Sequence, residues 1–225
     1  MTGRALALIG VVAIAGSPQR DVTASAAGLS SPDPIARTKA ACALRELGHD
    51  AAPVLPQLTA LLGDGSPVDP GVCGERTWRF RGAEDSTTPG EQAASAMVAI
   101  GSESFPPFSK ALKGPAWIAR KNAAWGLGAL RDSEAVPALI EALKDPEAAV
   151  REQVAWALGA IGDHRAVDAL VGALSDSAAG VRRQAAWALG ALGDRRAVSA
   201  LTKSLKDNDA GVRRQAAWAL GAIGG

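Results

Sequence analysis

A fourteen-residue block recurs along this chain at a fixed interval of 31 residues. Val150-Arg151-Glu152-Gln153-Val154-Ala155-Trp156-Ala157-Leu158-Gly159-Ala160-Ile161-Gly162-Asp163 returns as Val181-Arg182-Arg183-Gln184-Ala185-Ala186-Trp187-Ala188-Leu189-Gly190-Ala191-Leu192-Gly193-Asp194. A third copy covers 212–225 and a fourth 119–132, so Trp125, Trp156, Trp187 and Trp218 hold the spacing throughout. Weaker copies occupy 35–48 and 90–101. A unit this short cannot bury its own apolar face, but stacked neighbours can, so the pattern predicts a quasi-linear solenoid.

Each unit reads as two helices. One runs over 181–192, and Gly193 supplies the left-handed position that ends many helices. Asp194 is placed to cap a second helix over 196–205. Val198, Leu201 and Leu205 share one face of it. Pro137 falls near the start of the corresponding helix one cycle earlier, where a missing N–H costs least. Asp145-Pro146 and Ser175-Asp176-Ser177 are the turns between units. The 49 alanines, with few β-branched runs, favour closely packed helices over sheet. The fold class is therefore all-α, an α-solenoid (superhelix) of stacked two-helix repeats.

The motif Val-Arg-x-x-Ala-Ala-x-Ala-Leu-Gly-x-Ile-Gly-Asp resembles the HEAT-like repeat of the phycobilin lyase type, over about residues 20 to 225 apart from an insertion. That resemblance implies a solenoid whose Ala-Ala-x-Ala-Leu-Gly helix lines the concave, partner-binding side. It leaves function open, between bilin lyase subunits, accessory modules of enzymes and bacterial binding proteins.

On a helical projection Val181, Ala185, Ala188, Leu189 and Leu192 form the core stripe, and Trp187 points well away from it. Four such indoles suggest a ladder on the concave face, flanked by residues that change from unit to unit: Lys121 and Asn122, Glu152 and Gln153, Arg183 and Gln184, Arg214 and Gln215. A constant anchor within variable charge suits an extended protein partner, and Trp and Arg are enriched in binding hot spots. The competing reading lays each Trp flat across a neighbouring repeat under an Arg stem. Arg120, Arg151, Arg182 and Arg213, at the second motif position, invite an anion but fit better as inter-repeat partners of an aspartate such as Asp163. Gly128, Gly159, Gly190 and Gly221 sit inside the helix at a cost of about 1 kcal/mol each, which points to close approach of a neighbouring backbone.

Residues 64–89 break the period and separate repeats over 20–63 from those over 90–225. The insertion holds Arg76, Trp78, Arg79, Phe80 and Arg81, an alternating basic-aromatic segment that reads as a second contact loop or as a solvated connection. Residues 5–19 carry no charge, and Arg4 precedes the apolar run. The layout is that of a secretory signal, with Ala13-Ile14-Ala15 and Ala24-Ser25-Ala26 as cleavage candidates, or of an apolar first helix. The run is too short for a stable membrane span. An exported or periplasmic chain would allow a Cys42–Cys73 disulfide, and a cytoplasmic one would leave two thiols. The last unit lacks its second helix, which invites self-association there.

Two Cys and two well-separated His argue against a metal site, and no phosphate loop, nucleophile–base grouping or cofactor motif is present. A net charge of +1 disfavours a nucleic-acid partner. The expectation is a non-catalytic scaffold that grips a protein or peptide. The alternative is a bilin lyase-like or chaperone-like subunit acting on a chromophore protein.

Overall fold

The structure is a computed structural model, and it describes residues 18–74 and 86–224. The chain opens with α1 (Pro18–Gly28). Long helices then alternate with short ones: α2 (Pro34–Leu47), α3 (Leu55–Leu61), α4 (Pro89–Ile100), α5 (Phe105–Ala111), α6 (Trp117–Leu130), α7 (Val136–Ala142), α8 (Ala148–Ile161), α9 (Val167–Ala173), α10 (Ala179–Leu192), α11 (Val198–Ser204) and α12 (Ala210–Gly224). Val68 and Thr87 pair across the base of the insertion in an isolated bridge.

The motif dictates where each long helix stops. Gly162 and Gly193 take φ of 81° and 69°, the left-handed geometry that releases the chain. Arg131 takes the same turn at φ 56°, the one non-glycine with positive φ among the described residues. The next aspartate then closes a single 3-10 turn rather than capping an α-helix directly. Asp194 accepts from the Arg196 N–H within the turn Arg195–Ala197, and α11 begins only at Val198. The second helix is thus shorter than the expected 196–205. Pro56, Pro106 and Pro137 sit in the first turn of α3, α5 and α7, where no helical hydrogen bond is lost.

The long helices form one continuous layer, α6 packing on α8, α8 on α10 and α10 on α12. The short helices pack chiefly on their long neighbours. Between the layers lies a core of recurring leucines: Leu127, Leu158 and Leu189 from the long helices, Leu139, Leu170 and Leu201 from the short ones, all fully buried. One unit departs from this pattern in a compensated way. Phe108 holds the short-helix leucine position, and Gly126 stands where α8, α10 and α12 carry Ala157, Ala188 and Ala219. A β-carbon on Gly126 would overlap the Phe108 ring, so the larger ring is housed by removing a methyl group opposite.

The shared face expected of Val198, Leu201 and Leu205 is only partly covered. Leu201 is buried, but Val198 and Leu205 are each 39% exposed, whereas Val167 and Leu174 one unit earlier are buried. α7 and α9 pack on the 3-10 turn of the unit after them, and no such turn stands over α11 among the described residues.

α1 covers the outer side of α2, with Val22 and Leu29 buried. The second candidate cleavage site, Ala24-Ser25-Ala26, lies inside this packed helix, and a cut there would strip the cover from α2. The first lies outside the described residues.

Candidate protein-interaction surface

The glycines inside the long helices explain where the tryptophans go. A β-carbon on Gly128 would lie 2.7 Å from the Ala157 Cα and 2.9 Å from the ring edge of Trp156. On Gly159 it would meet Ala188 and Trp187, and on Gly190 it would meet Trp218 and Ala219, all within 2.9 Å. Trp156, Trp187 and Trp218 therefore each rest their Cζ3 edge on the glycine of the preceding repeat, and the Ala beside each touches the same spot. Close backbone approach is the reason for Gly128, Gly159 and Gly190, but not for Gly221, where a β-carbon would meet nothing within 4 Å. Trp125, Trp156 and Trp187 are half-buried against the core, and Trp218 is 48% exposed. The ladder is thus largely a set of inter-repeat joints that leave one side of each ring at the surface. Trp218 shows most because no further long helix covers it among the described residues.

The second-position arginines make a second kind of joint. Arg151 donates through Nε and Nη2 to the two oxygens of Asp176 at 2.7 and 2.8 Å, and through Nη1 to the carbonyls of Asp145 and Pro146. Arg120 does the same with Asp145, and Arg182 with Asp207. Arg37 bonds Asp64 through Nε at 2.7 Å. Each aspartate also accepts a backbone N–H two residues on, so one carboxylate fixes both a turn and a neighbouring unit. The Arg151 hydrogen bond holds the Asp176 carboxyl below its usual range against a smaller cost of burial, and Arg182 does the same for Asp207. These arginines are not open to an outside anion. Their partner is also not the type represented by Asp163, whose carboxylate instead bonds Arg165 two residues away. The true partners had a signal in the sequence, an Asp 25 residues after each of Arg120, Arg151 and Arg182.

The other candidate residues divide. Asn122 is 2% exposed, and its amide donates to the Leu62 carbonyl at 2.9 Å, so it cannot meet a partner. Its register turned it inward because Gly90 leaves room for it. Lys121 pairs with Glu91 at 3.3 Å and Arg183 with Glu152 at 3.0 Å, both across neighbouring repeats. Arg214 is exposed. Gln153, Gln184 and Gln215 are half-exposed, and their amides make no hydrogen bond within the described residues. Each lies three residues before a Trp and so shares its helix face.

In the N-terminal repeats the Trp position is held by Cys42 in α2 and by Ser95 in α4. Cys42 is joined to Cys73 of the insertion, with Cα atoms 5.9 Å apart. Arg76, Trp78, Arg79, Phe80 and Arg81 lie outside the described residues. Among the described residues no three or more His, Cys, Asp or Glu cluster to hold a metal, and no helix is long and apolar enough to cross a membrane. His164 is exposed, with Nδ1 3.0 Å from Asp194.

The same joints running from one unit to the next are matched by a family model for HEAT repeats, which covers residues 105–186 and 173–225. The chain belongs to the HEAT-repeat family. Among solved HEAT-like structures it is similar to the complex of CpcE and CpcF of phycocyanin lyase from Nostoc sp. PCC7120, with 26% identity and a TM-score of 0.56. That match covers 99% of this chain and 83% of the other. It is also similar in fold to Kap121p, with 15% identity and a TM-score of 0.70, covering 91% of this chain and 25% of that one. An engineered protein matches with 22% identity and a TM-score of 0.52, over 91% of this chain and 96% of that one. A comparison with curated protein sequences gives no match. The HEAT assignment and the phycobilin lyase-type resemblance therefore stand together, on an all-α solenoid whose fold is of the protein-interaction kind.

Proposed function

We propose that this HEAT array is a non-catalytic scaffold that binds an extended segment of another protein along its long-helix layer. The observation that carries the reading is the row of unbonded amides, Gln153, Gln184 and Gln215, each beside the exposed side of a Trp. Successive packed helices lie about 8–10 Å apart. Three residues of extended chain span about 10 Å. A peptide lying across the layer can therefore offer one backbone amide and one side chain per repeat. The indoles supply apolar contact, and the free carboxamides can both donate to and accept from a peptide backbone.

The test is a random peptide library panned against the full chain and against a variant with Gln153, Gln184 and Gln215 all changed to Ala. Those side chains hold nothing in the fold, so the variant should keep its helicity and thermal midpoint. Peptides enriched on the parent should lose about tenfold or more in affinity on the variant. Equal binding to both, or no enrichment, would remove this reading.

The second reading, a bilin lyase-like or chaperone-like subunit, is favoured by the similarity to the CpcE–CpcF complex across nearly the whole chain. Mixing the protein with a bilin and a chromophore-free acceptor should then change the visible absorbance. An unchanged spectrum would discard it. The Cys42–Cys73 bridge supports an exported protein, since such bonds persist in oxidising compartments. Mass measurement of the mature N-terminus in the source cell would show whether the leader is removed.

A further inference from the structure

The insertion crosses the helix face that carries the amide row farther along the stack. In α8 that face presents Gln153, Trp156 and Ala160. The same register holds Lys39, Cys42 and Glu46 in α2, and Gln92, Ser95 and Ala99 in α4. Both described legs of the insertion lie on these residues. The outgoing leg forms the 3-10 turn Pro70–Cys73, which packs on α2, and Cys73 is bonded to Cys42 at the Trp position. Val72 and Gly74 line a cleft against Lys39, Ala43 and Glu46. The returning leg pairs with the outgoing one through Thr87 and Val68, and it meets α4 at the Gln position. The Gln92 amide donates to the Thr87 hydroxyl at 3.0 Å, and its carbonyl accepts from Arg45 at 3.3 Å. Gln92 is 5% exposed, whereas Gln153, Gln184 and Gln215 are half-exposed and unbonded.

We infer that the insertion is a built-in occupant of the N-terminal end of the amide row, held there by the Cys42–Cys73 bridge, so that a partner segment lying on the row stops or turns away at α6. The inference rests on the scaffold reading and adds where the partner's segment ends. The same register gives opposite outcomes on the two sides of α6. Beyond it the carboxamides face outward with their hydrogen-bonding groups free for a peptide backbone. Before it the corresponding carboxamide is buried, with its oxygen and its nitrogen each engaged inside the chain. The Trp position of α2 is filled by a covalent bond to the insertion, which no partner displaces by binding alone.

The probe is the most enriched twelve-residue peptide from a random library panned against the full chain, at about three residues for each long helix from α6 to α12. It is made with a benzophenone at one end or at the other. On the bridged chain one of the two ends should photolabel residues 64–74 or 86–88, and neither should label α2. Six random residues added beyond that end, about the length that spans α4 and α2, should select no tighter binder on the bridged chain. After a dithiol reagent has reduced the bridge to two thiols, the same additions should select binders about tenfold tighter. Labelling of α2 on the bridged chain, a tighter extended binder there, or no gain after reduction overturns the inference. Helicity is measured on the reduced chain, and if it falls the photolabel on the bridged chain decides alone. A library that enriches nothing, or binders indifferent to the triple Gln substitution, removes the scaffold reading and this inference with it. A row binder whose ends never reach the insertion overturns this inference alone.

Discussion

The repeats of α6 to α12 and those of α1 to α4 share a helix layout but are held together differently. In the C-terminal region every joint is the same pair of contacts, a Trp edge on a glycine and an arginine across to an aspartate. In the N-terminal region the Trp position holds Cys42 and then Ser95, and the glycine position holds Arg45 and then Val98. The arginine clamp persists there as Arg37 on Asp64, while a disulfide to the insertion and a buried polar set stand in for the Trp–Gly contact. Gln92 donates to Thr87 at 3.0 Å, and Asn122 reaches across Gly90 to Leu62. A solenoid needs only that each neighbour bury the next one's face, so the chemistry of the joint can change while the fold persists.

The comparison can be broken most severely at the bridge. Changing Cys42 and Cys73 both to Ser opens a 31-residue separation, and the chain-entropy model puts the loss at about 3–4 kcal/mol. Chemical denaturation should show it as early loss of the N-terminal repeats, with Trp156 and Trp187 fluorescence changing later. Coincident transitions would mean that the two regions do not differ in this respect.

Next comes the compensated pair. Gly126→Ala alone forces a methyl group into the Phe108 ring and should cost about 2 kcal/mol, within the range for overpacking. Phe108→Leu alone should cost about 1–2 kcal/mol. The double variant restores the Leu and Ala of the other units and should lie within about 1 kcal/mol of the parent. Additive losses in the thermal midpoints would refute the compensation.

The clamps give an effect of similar size that depends on pH. Arg151→Ala leaves Asp176, 13% exposed, without its cation and should cost about 2 kcal/mol, whereas Arg213→Ala should cost less than about 1 kcal/mol. The carboxyls of Asp176 and Asp207 are held low by Arg151 and Arg182. A carboxyl lowered in the folded state binds fewer protons than the unfolded chain, so its contribution is complete above the usual aspartate value near 4. It is lost as pH falls through the lowered folded value. Urea midpoints of the parent should hold from pH 7 to about 5 and drop below about 4, with a smaller drop in Arg151→Ala.

The smallest effect carries a change of sign. Gly159→Ala meets the Ala188 Cα at 2.8 Å and should destabilise. Gly221→Ala meets nothing and should stabilise by up to about 1 kcal/mol through helix propensity alone. Two effects of the same sign would show that the glycine seat is not what distinguishes a filled joint from an open one.

The recurrence of a Trp every 31 residues, with Gly at the helix end and Asp after it, was enough to establish the solenoid, its units and its turns. That is local information, because propensity, capping and amphipathic spacing act within one unit. The role of the in-helix glycines was also legible, since a costly residue repeated in a helix needs a neighbour to explain it. The direction of each indole was not. A helical projection says that Trp187 leaves the core stripe, but only the placement of α8 beside α10 seats it on Gly159. In the same way Asn122 and Gln153 occupy one register, and the packing around Gly90 buries the first and leaves the second at the surface. The 25-residue step from Arg to Asp was present in the sequence, but its meaning came from the approach of the start of one long helix to the turn that opens the next, which spacing along the chain does not show. Sequence determines the unit through short-range energetics. Only the tertiary stack decides which identical residues become joints and which become surface, because burial belongs to the neighbour as much as to the residue.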